Sequence, residues 1–184
     1  QTLAITGIDP DVTPGEFEEN GVRWRLLRET FQGWHDDRQY DVVNADQSLY
    51  YLGNMQTVIA RVLRLLRPGG IFVATCWSRD DALHRLRTRL FPPANDDLVG
   101  EEVLALVRRA PGFAHVETAS FKTRVRLRAW REDSGFLDPA LRVIARRPLD
   151  PASDPQPEAL LSILNEFPDL AHRINIALCA IREE

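Results

Sequence analysis

The clearest pattern in the chain runs from Tyr40 to Ser78. Asp41 to Ala45 is a short apolar run (Val42, Val43, Ala45) that predicts a strand. From Met55 to Leu66 the apolar positions Val58, Ile59, Val62, Leu63, Leu65 and Leu66 recur at helical spacing. Arg67-Pro68-Gly69-Gly70 predicts a sharp stop, because proline cannot continue a helix and glycine tolerates the left-handed conformation at its end. Ile71 to Cys76 is then apolar without alternation, the pattern of a strand covered on both faces. Strand, helix and strand in about 40 residues make one βαβ unit, with parallel strands and a right-handed crossover.

The flanking chain reads in the same way. Leu3 to Ile8 predicts a buried strand that stops at Asp9-Pro10-Asp11. Val12 to Gly21 contains Pro14 and Gly15, so a helix of one or two turns at most is expected there. Val22 to Leu27 predicts a further strand, and Asp36-Asp37-Arg38 a surface turn. Asp80-Asp81 opens a helix through Leu90, which Phe91-Pro92-Pro93-Ala94-Asn95-Asp96-Asp97 breaks. Gly100 to Ala110 predicts an amphipathic helix, Pro111-Gly112 a turn, and His115 to Ala119 and Phe121 to Leu127 two strands. Gly135 to Val143 predicts a helix with Leu137, Leu141 and Ile144 inward, and Glu158 to Glu166 another. The proline-rich stretch between them, from Arg146 to Pro157, reads as a loop. Ile174 to Ile181 is the last strand. The expectation is an α/β fold in a single domain over residues 1–184.

Three polar features stand out from this apolar frame. Asn44-Ala45-Asp46-Gln47-Ser48, followed by Tyr50-Tyr51, sits at the carboxyl end of a parallel strand, where open sheets bind ligands. It also suits a capped loop leading into a helix. Asp9 ends a strand, and a carboxylate there can accept two hydrogen bonds from a ribose; Asp-Pro-Asp is equally an ordinary turn. Asn175 interrupts an apolar strand, and a buried amide costs free energy unless it is bonded.

The run from Tyr40-Asp41-Val42-Val43 through Leu49-Tyr50-Tyr51-Leu52 to Val62-Leu63-Arg64-Leu65-Leu66-Arg67-Pro68-Gly69-Gly70-Ile71-Phe72-Val73-Ala74-Thr75 resembles class I S-adenosylmethionine-dependent methyltransferases. Gln47-Ser48-Leu49-Tyr50-Tyr51 and the C-terminal strand are similar to the histamine N-methyltransferase-like small-molecule group. The resemblance implies a Rossmann-like sheet, mostly parallel with an antiparallel C-terminal strand and helices on both faces. It implies S-adenosyl-L-methionine as cofactor, with Asp9 on the ribose, Thr30 and Phe31 beside the adenine, and Asp46 and Gln47 at the cofactor edge. Gln47, Tyr50, Tyr51 and Asn175 would contact a small-molecule acceptor, an amine nitrogen by this likeness. No side chain is expected to act as an obligatory acid or base, and no metal is expected. The family's glycine-rich loop would precede Gln1, so the resemblance implies an N-terminally truncated form that binds the cofactor weakly by itself. A sheet edge left open by a missing strand would favour a homodimer or a heteromeric partner. The alternative expectation is a non-catalytic methyltransferase-like module that works as an assembly or regulatory partner.

Composition narrows the field. A length of 184 residues, 44% apolar and 27% charged, suits one globular domain. A net charge of −4 argues against a nucleic-acid partner held by phosphate contacts. No apolar run is long enough to cross a bilayer, so no membrane partner is expected. Cys76 and Cys179 read as reduced thiols of a cytoplasmic protein. Lys122 is the sole lysine among 22 arginines, which suggests a GC-rich bacterial source. No Walker loop, HExxH, paired CxxC or GxSxG appears, and His84, His115 and His172 lack metal-ligand spacing.

Overall fold

A computed structural model describes residues 3–91, 98–145, 149–150 and 152–183, apart from the side chains of Tyr50 and Ser134. The chain divides into two compact units, Gln1–Arg38 and Gln39–Glu184.

The first unit is a three-stranded sheet of β1 (Leu3–Ile8), β2 (Gly15–Glu19) and β3 (Val22–Leu27), ordered β1-β3-β2. β1 and β3 are parallel, from Leu3 opposite Val22 to Ile8 opposite Leu27. β2 runs antiparallel to β3 along its other edge. The short helix expected between Val12 and Gly21 is therefore a strand. Asn20 and Gly21 both have positive φ, 52° and 75°, as a two-residue hairpin turn with the twist of its strands requires. Phe17 stacks on Trp24 across the hairpin, with ring centroids 6.1 Å apart. β1 is not the buried strand expected: Leu3 is exposed and the residues from Ile5 to Ile8 are half-buried.

The second unit begins with β4 (Tyr40–Asp46), a single 3-10 turn at Leu49–Tyr51, α1 (Met55–Leu65) and β5 (Leu66–Trp77). α2 (Ala82–Leu90), α3 (Gly100–Arg109), β6 (Phe113–Arg126), α4 (Leu127–Glu132), α5 (Leu137–Ala145), α6 (Pro157–Leu164) and β7 (Leu170–Arg182) follow. Its sheet is ordered β4-β5-β7-β6. β4 and β5 are parallel, as the βαβ pattern predicts, while β7 is antiparallel to both β5 and β6. Across the two units the sheets are thus mixed rather than mostly parallel.

Asn54 caps α1 by accepting the Thr57 N–H, and Met55, Val58, Ile59, Val62 and Leu65 form its buried stripe. The helix stops one residue earlier than Leu66, and the segment Arg67–Gly70 is not a separate turn. It bulges out of the β5 ladder: Tyr40 lies opposite Leu66, and Val42 opposite Ile71. Gly69 supplies the positive φ, 71°, that the bulge needs. A Cβ at Gly70 would sit 2.8 Å from the Arg67 carbonyl and 3.1 Å from that of Tyr40.

β5 is not covered equally on both faces. Phe72, Ala74 and Cys76 are fully buried, whereas Ile71, Val73 and Thr75 are half-buried. Gly100 at the start of α3 comes close enough that its Cβ would meet Ile176 at 2.8 Å and Cys76 at 3.4 Å, so α3 lies on the Cys76 face. Trp77 points the other way by strand alternation. It joins the main core with Leu83, Leu86, Leu127, Leu137, Leu141, Ile144, Leu160 and Leu164 from α2, α4, α5 and α6. β6 is one continuous strand where two were expected. Its register with β7 is unbroken from His115 opposite Ile181 to Arg126 opposite Leu170. Leu127 leaves the ladder to start α4, an element with no counterpart in the sequence reading. Residues 92–97, after α2, and residues 146–148 and 151, after α5, lie outside the described residues.

Candidate functional site

The carboxyl ends of β4 and β5 lie beside the amino-terminal half of β7. Asp46 is the last residue of β4 and sits opposite Thr75, and Trp77 sits opposite Asn175. By alternation Thr75, Trp77 and Asn175 share one face. Thr75 is the hub of the polar groups there. Its hydroxyl donates to the Asp46 carboxylate, and its oxygen accepts from the Gln47 side-chain amide at 3.3 Å. Gln47 Nε2 also donates to Asn175 Oδ1 at 2.9 Å, across 128 residues of sequence.

Gln47 holds this position at φ 48°, in the left-handed region that residues other than glycine, asparagine and aspartate seldom occupy. Its backbone N–H remains bonded to the Thr75 carbonyl at 3.0 Å, so the chain turns away from the sheet while the side chain reaches back across β5. Asn175 is buried, at 7% exposure, and its Nδ2 group has no hydrogen-bond partner among the described residues. That leaves an uncharged amide whose Nδ2 is not sealed from solvent and whose Oδ1 keeps a second lone pair.

The sequence reading singles out Asp46, Gln47 and Asn175, which the structure joins in one hydrogen-bonded network. It missed Thr75, the residue that joins them. A lone threonine at the end of an apolar run was the available signal. Tyr51 stands half exposed on the 3-10 turn after Gln47. Tyr50 shares that turn, and its side chain lies outside the described residues.

A second polar cluster sits one residue past β5. Ser78 Oγ donates to Glu101 at 2.6 Å, and the Arg79 N–H donates to the same carboxylate at 3.1 Å. Burial would push the Glu101 carboxyl up, but the Ser78 hydroxyl, the backbone N–H groups of Glu101 and Arg79 and the Arg79 charge together hold it below its ordinary value. Glu101 lies in the first turn of α3, where the helix dipole also favours a negative charge.

On the first unit, Asp9 follows β1 and is exposed. One of its carboxylate oxygens accepts the Asp11 N–H at 2.7 Å, as in an Asp-initiated turn. The other has no partner among the described residues. Thr30 spends its hydroxyl on the Gly33 N–H at 3.1 Å, and Phe31 is half-buried. Neither lines a cavity of about 590 Å³ in this unit, whose lining includes the buried Trp34 with Arg25, Glu29, His35 and Arg38.

No family model matches the chain, and no curated protein matches its sequence. Solved structures do match. A candidate methyltransferase from Bacillus halodurans C-125 superposes at a TM-score of 0.53 with 11% identity, over 88% of this chain and 73% of that one. The YcgJ protein from Bacillus subtilis superposes at 0.52 with 16% identity, over 90% and 73%. The N-methyltransferase NodS from Bradyrhizobium japonicum WM9 is more distant, at 0.46 with 13% identity, over 97% and 73%.

The chain has the fold that methyltransferases use. At these identities the likeness speaks for the fold and not for an acceptor or a subgroup. No helix among the described residues is long and apolar enough to cross a membrane. No group of three or more His, Cys, Asp or Glu among the described residues is placed to hold a metal ion. Neither Cys76 nor Cys179 is in a disulfide.

Proposed function

We propose that the chain belongs to an S-adenosylmethionine-dependent methyltransferase that acts on a small molecule, with an amine nitrogen as acceptor. The observation that carries this reading is the Gln47–Asn175 amide pair, at the strand ends where such folds bind ligands, held by a strained residue. Half-buried at Gln47, buried at Asn175 and uncharged, the pair suits an acceptor that must keep a neutral lone pair. Asn175 would accept an N–H or donate to an acceptor atom, fixing orientation without adding charge. Orientation is the main demand of this chemistry, because the sulfonium supplies an already activated methyl group. Tyr51 would add an aromatic wall.

Asp9 fits a ribose: it has one free carboxylate oxygen and a spare lone pair on the other, enough for a vicinal diol. Thr30 and Phe31 are proposed beside the adenine, and Asp46 at the cofactor edge. No side chain is needed as a strong acid or base. The likeness to the histamine N-methyltransferase-like group belongs to this proposal, as does a location in the cytoplasm. A non-catalytic module is a second reading, favoured by the exposed Val42 on β4, a strand that pairs only with β5 among the described residues.

Calorimetric titration of S-adenosylhomocysteine into the full natural chain tests the proposal. Asp9→Ala should weaken binding roughly tenfold or more, the loss of a charge-assisted pair of hydrogen bonds. Asn175→Ala should leave that affinity within about twofold while lowering methyl transfer to an amine by roughly tenfold or more. No heat at millimolar ligand would overturn the enzyme and leave the module.

A further inference from the structure

The outer edge of the second sheet carries a charge pattern that the proposed chemistry does not use. β6 is the last strand of the order β4-β5-β7-β6, so one side of its backbone pairs with no strand among the described residues. From Glu117 to Arg124 every residue is exposed. Lys122, Arg124 and Arg126 alternate along the strand and so point to one face, about 7 Å apart. None of the three side chains has a hydrogen bond or ion pair among the described residues. The nearby carboxylates are already engaged: Glu132 with Arg128 and Asp169 with Arg131. Across the ladder these cations face Ile174, His172 and Leu170, none of them acidic.

We propose that this edge docks an acidic, extended segment of another protein by strand addition. The free backbone edge selects polypeptide, since only another main chain can complete its ladder. The row of cations selects sequence. A strand laid beside β6 presents alternate side chains to the same face at the same spacing, so carboxylates at every second position would meet Lys122, Arg124 and Arg126. A second copy of β6 does not fit. When two identical strands pair about a two-fold axis perpendicular to the sheet, each residue meets one of its own parity. The row that includes Lys122, Arg124 and Arg126 is otherwise Ala114, Val116, Thr118 and Ser120, without an acid. The acidic strand β2 of a second copy is a poor substitute, because Glu16 already pairs with Arg25 at 3.4 Å and Glu18 lies opposite Arg23.

The test is fluorescence anisotropy with the full chain and a labelled peptide that alternates glutamate with valine or threonine. Binding is expected, roughly tenfold tighter than for a peptide of the same composition with its glutamates in one block, and to weaken as salt is raised. The exposed double variant Lys122→Glu/Arg124→Glu should reduce it by tenfold or more and leave the circular dichroism spectrum unchanged. Proline at two intervening peptide positions should abolish it, which a purely electrostatic contact would not do. Equal affinity for the block peptide or for oligothymidylate would overturn the proposal in favour of a general polyanion surface. Absence of binding at millimolar peptide and low salt would overturn it too. So would concentration-dependent self-association abolished by the double variant, which would assign the edge to a second copy.

Discussion

Asp81 has no exposure to solvent and accepts from four N–H groups: Leu83 at 2.8 Å, His84 at 3.3 Å, Arg173 Nε at 3.0 Å and Ile174 at 2.7 Å. One carboxylate therefore caps α2 and anchors β7, while the Arg173 guanidinium lies over Trp77 at 5.1 Å. Replacing it strands a half-buried cation and three backbone donors. Asp81→Ala is expected to cost about 3–5 kcal/mol in urea unfolding, and Asp81→Ser to recover part of that by restoring the cap. The capping half of this role was readable, because an acid before an apolar helical stripe is a known signal. The anchoring half was not, since Arg173 is 92 positions away and nothing local marks it. Gln47 and Asn175 show the same limit from the other side. An amide in an apolar strand demands a partner, but only the folded register says which one.

Elements were legible where one period dominated. α1, α2 and α3 lie within a residue or two of their sequence expectations because each has a stripe and a clean end. The hairpin of β2 and β3 was missed although Asn20-Gly21 is a strong turn signal. Pro14 and Gly15 exclude a long helix from Val12 to Gly21 but do not by themselves specify what takes its place. The bulge at Arg67–Gly70 was missed for a different reason: glycine and proline mark a break but not whether pairing resumes in the same strand. That bulge makes a testable claim. Gly70→Ala pushes a Cβ against two backbone carbonyls and should destabilise the protein by about 1–3 kcal/mol, read as a lower thermal midpoint. If the midpoint is unchanged, the β4–β5 bulge is not as close as described.

At the scale of the molecule, the two units differ in what holds them. The second has a contiguous core of buried leucines around Trp77, Leu86, Leu141 and Ile144. Among described residues of the first unit, only Trp34 is a buried hydrophobic side chain. Local opening free energy follows buried apolar contact. Amides of β1 and β3 should therefore exchange with solvent at least about tenfold faster than those of β5 and β7, measured by hydrogen exchange with mass spectrometry. Comparable protection in both would show that the first unit gains its stability from something other than its own core.

The scarcity of lysine gives the β6 edge one more property. Lys122 is the chain's single side-chain amine, and it stands exposed on that strand with no ion-pair partner among the described residues. An amine-directed dye or crosslinker, applied where any terminal amine stays protonated or blocked, has one address on the whole surface. The protein thus carries its own site-specific handle, placed where a visiting strand would change its surroundings.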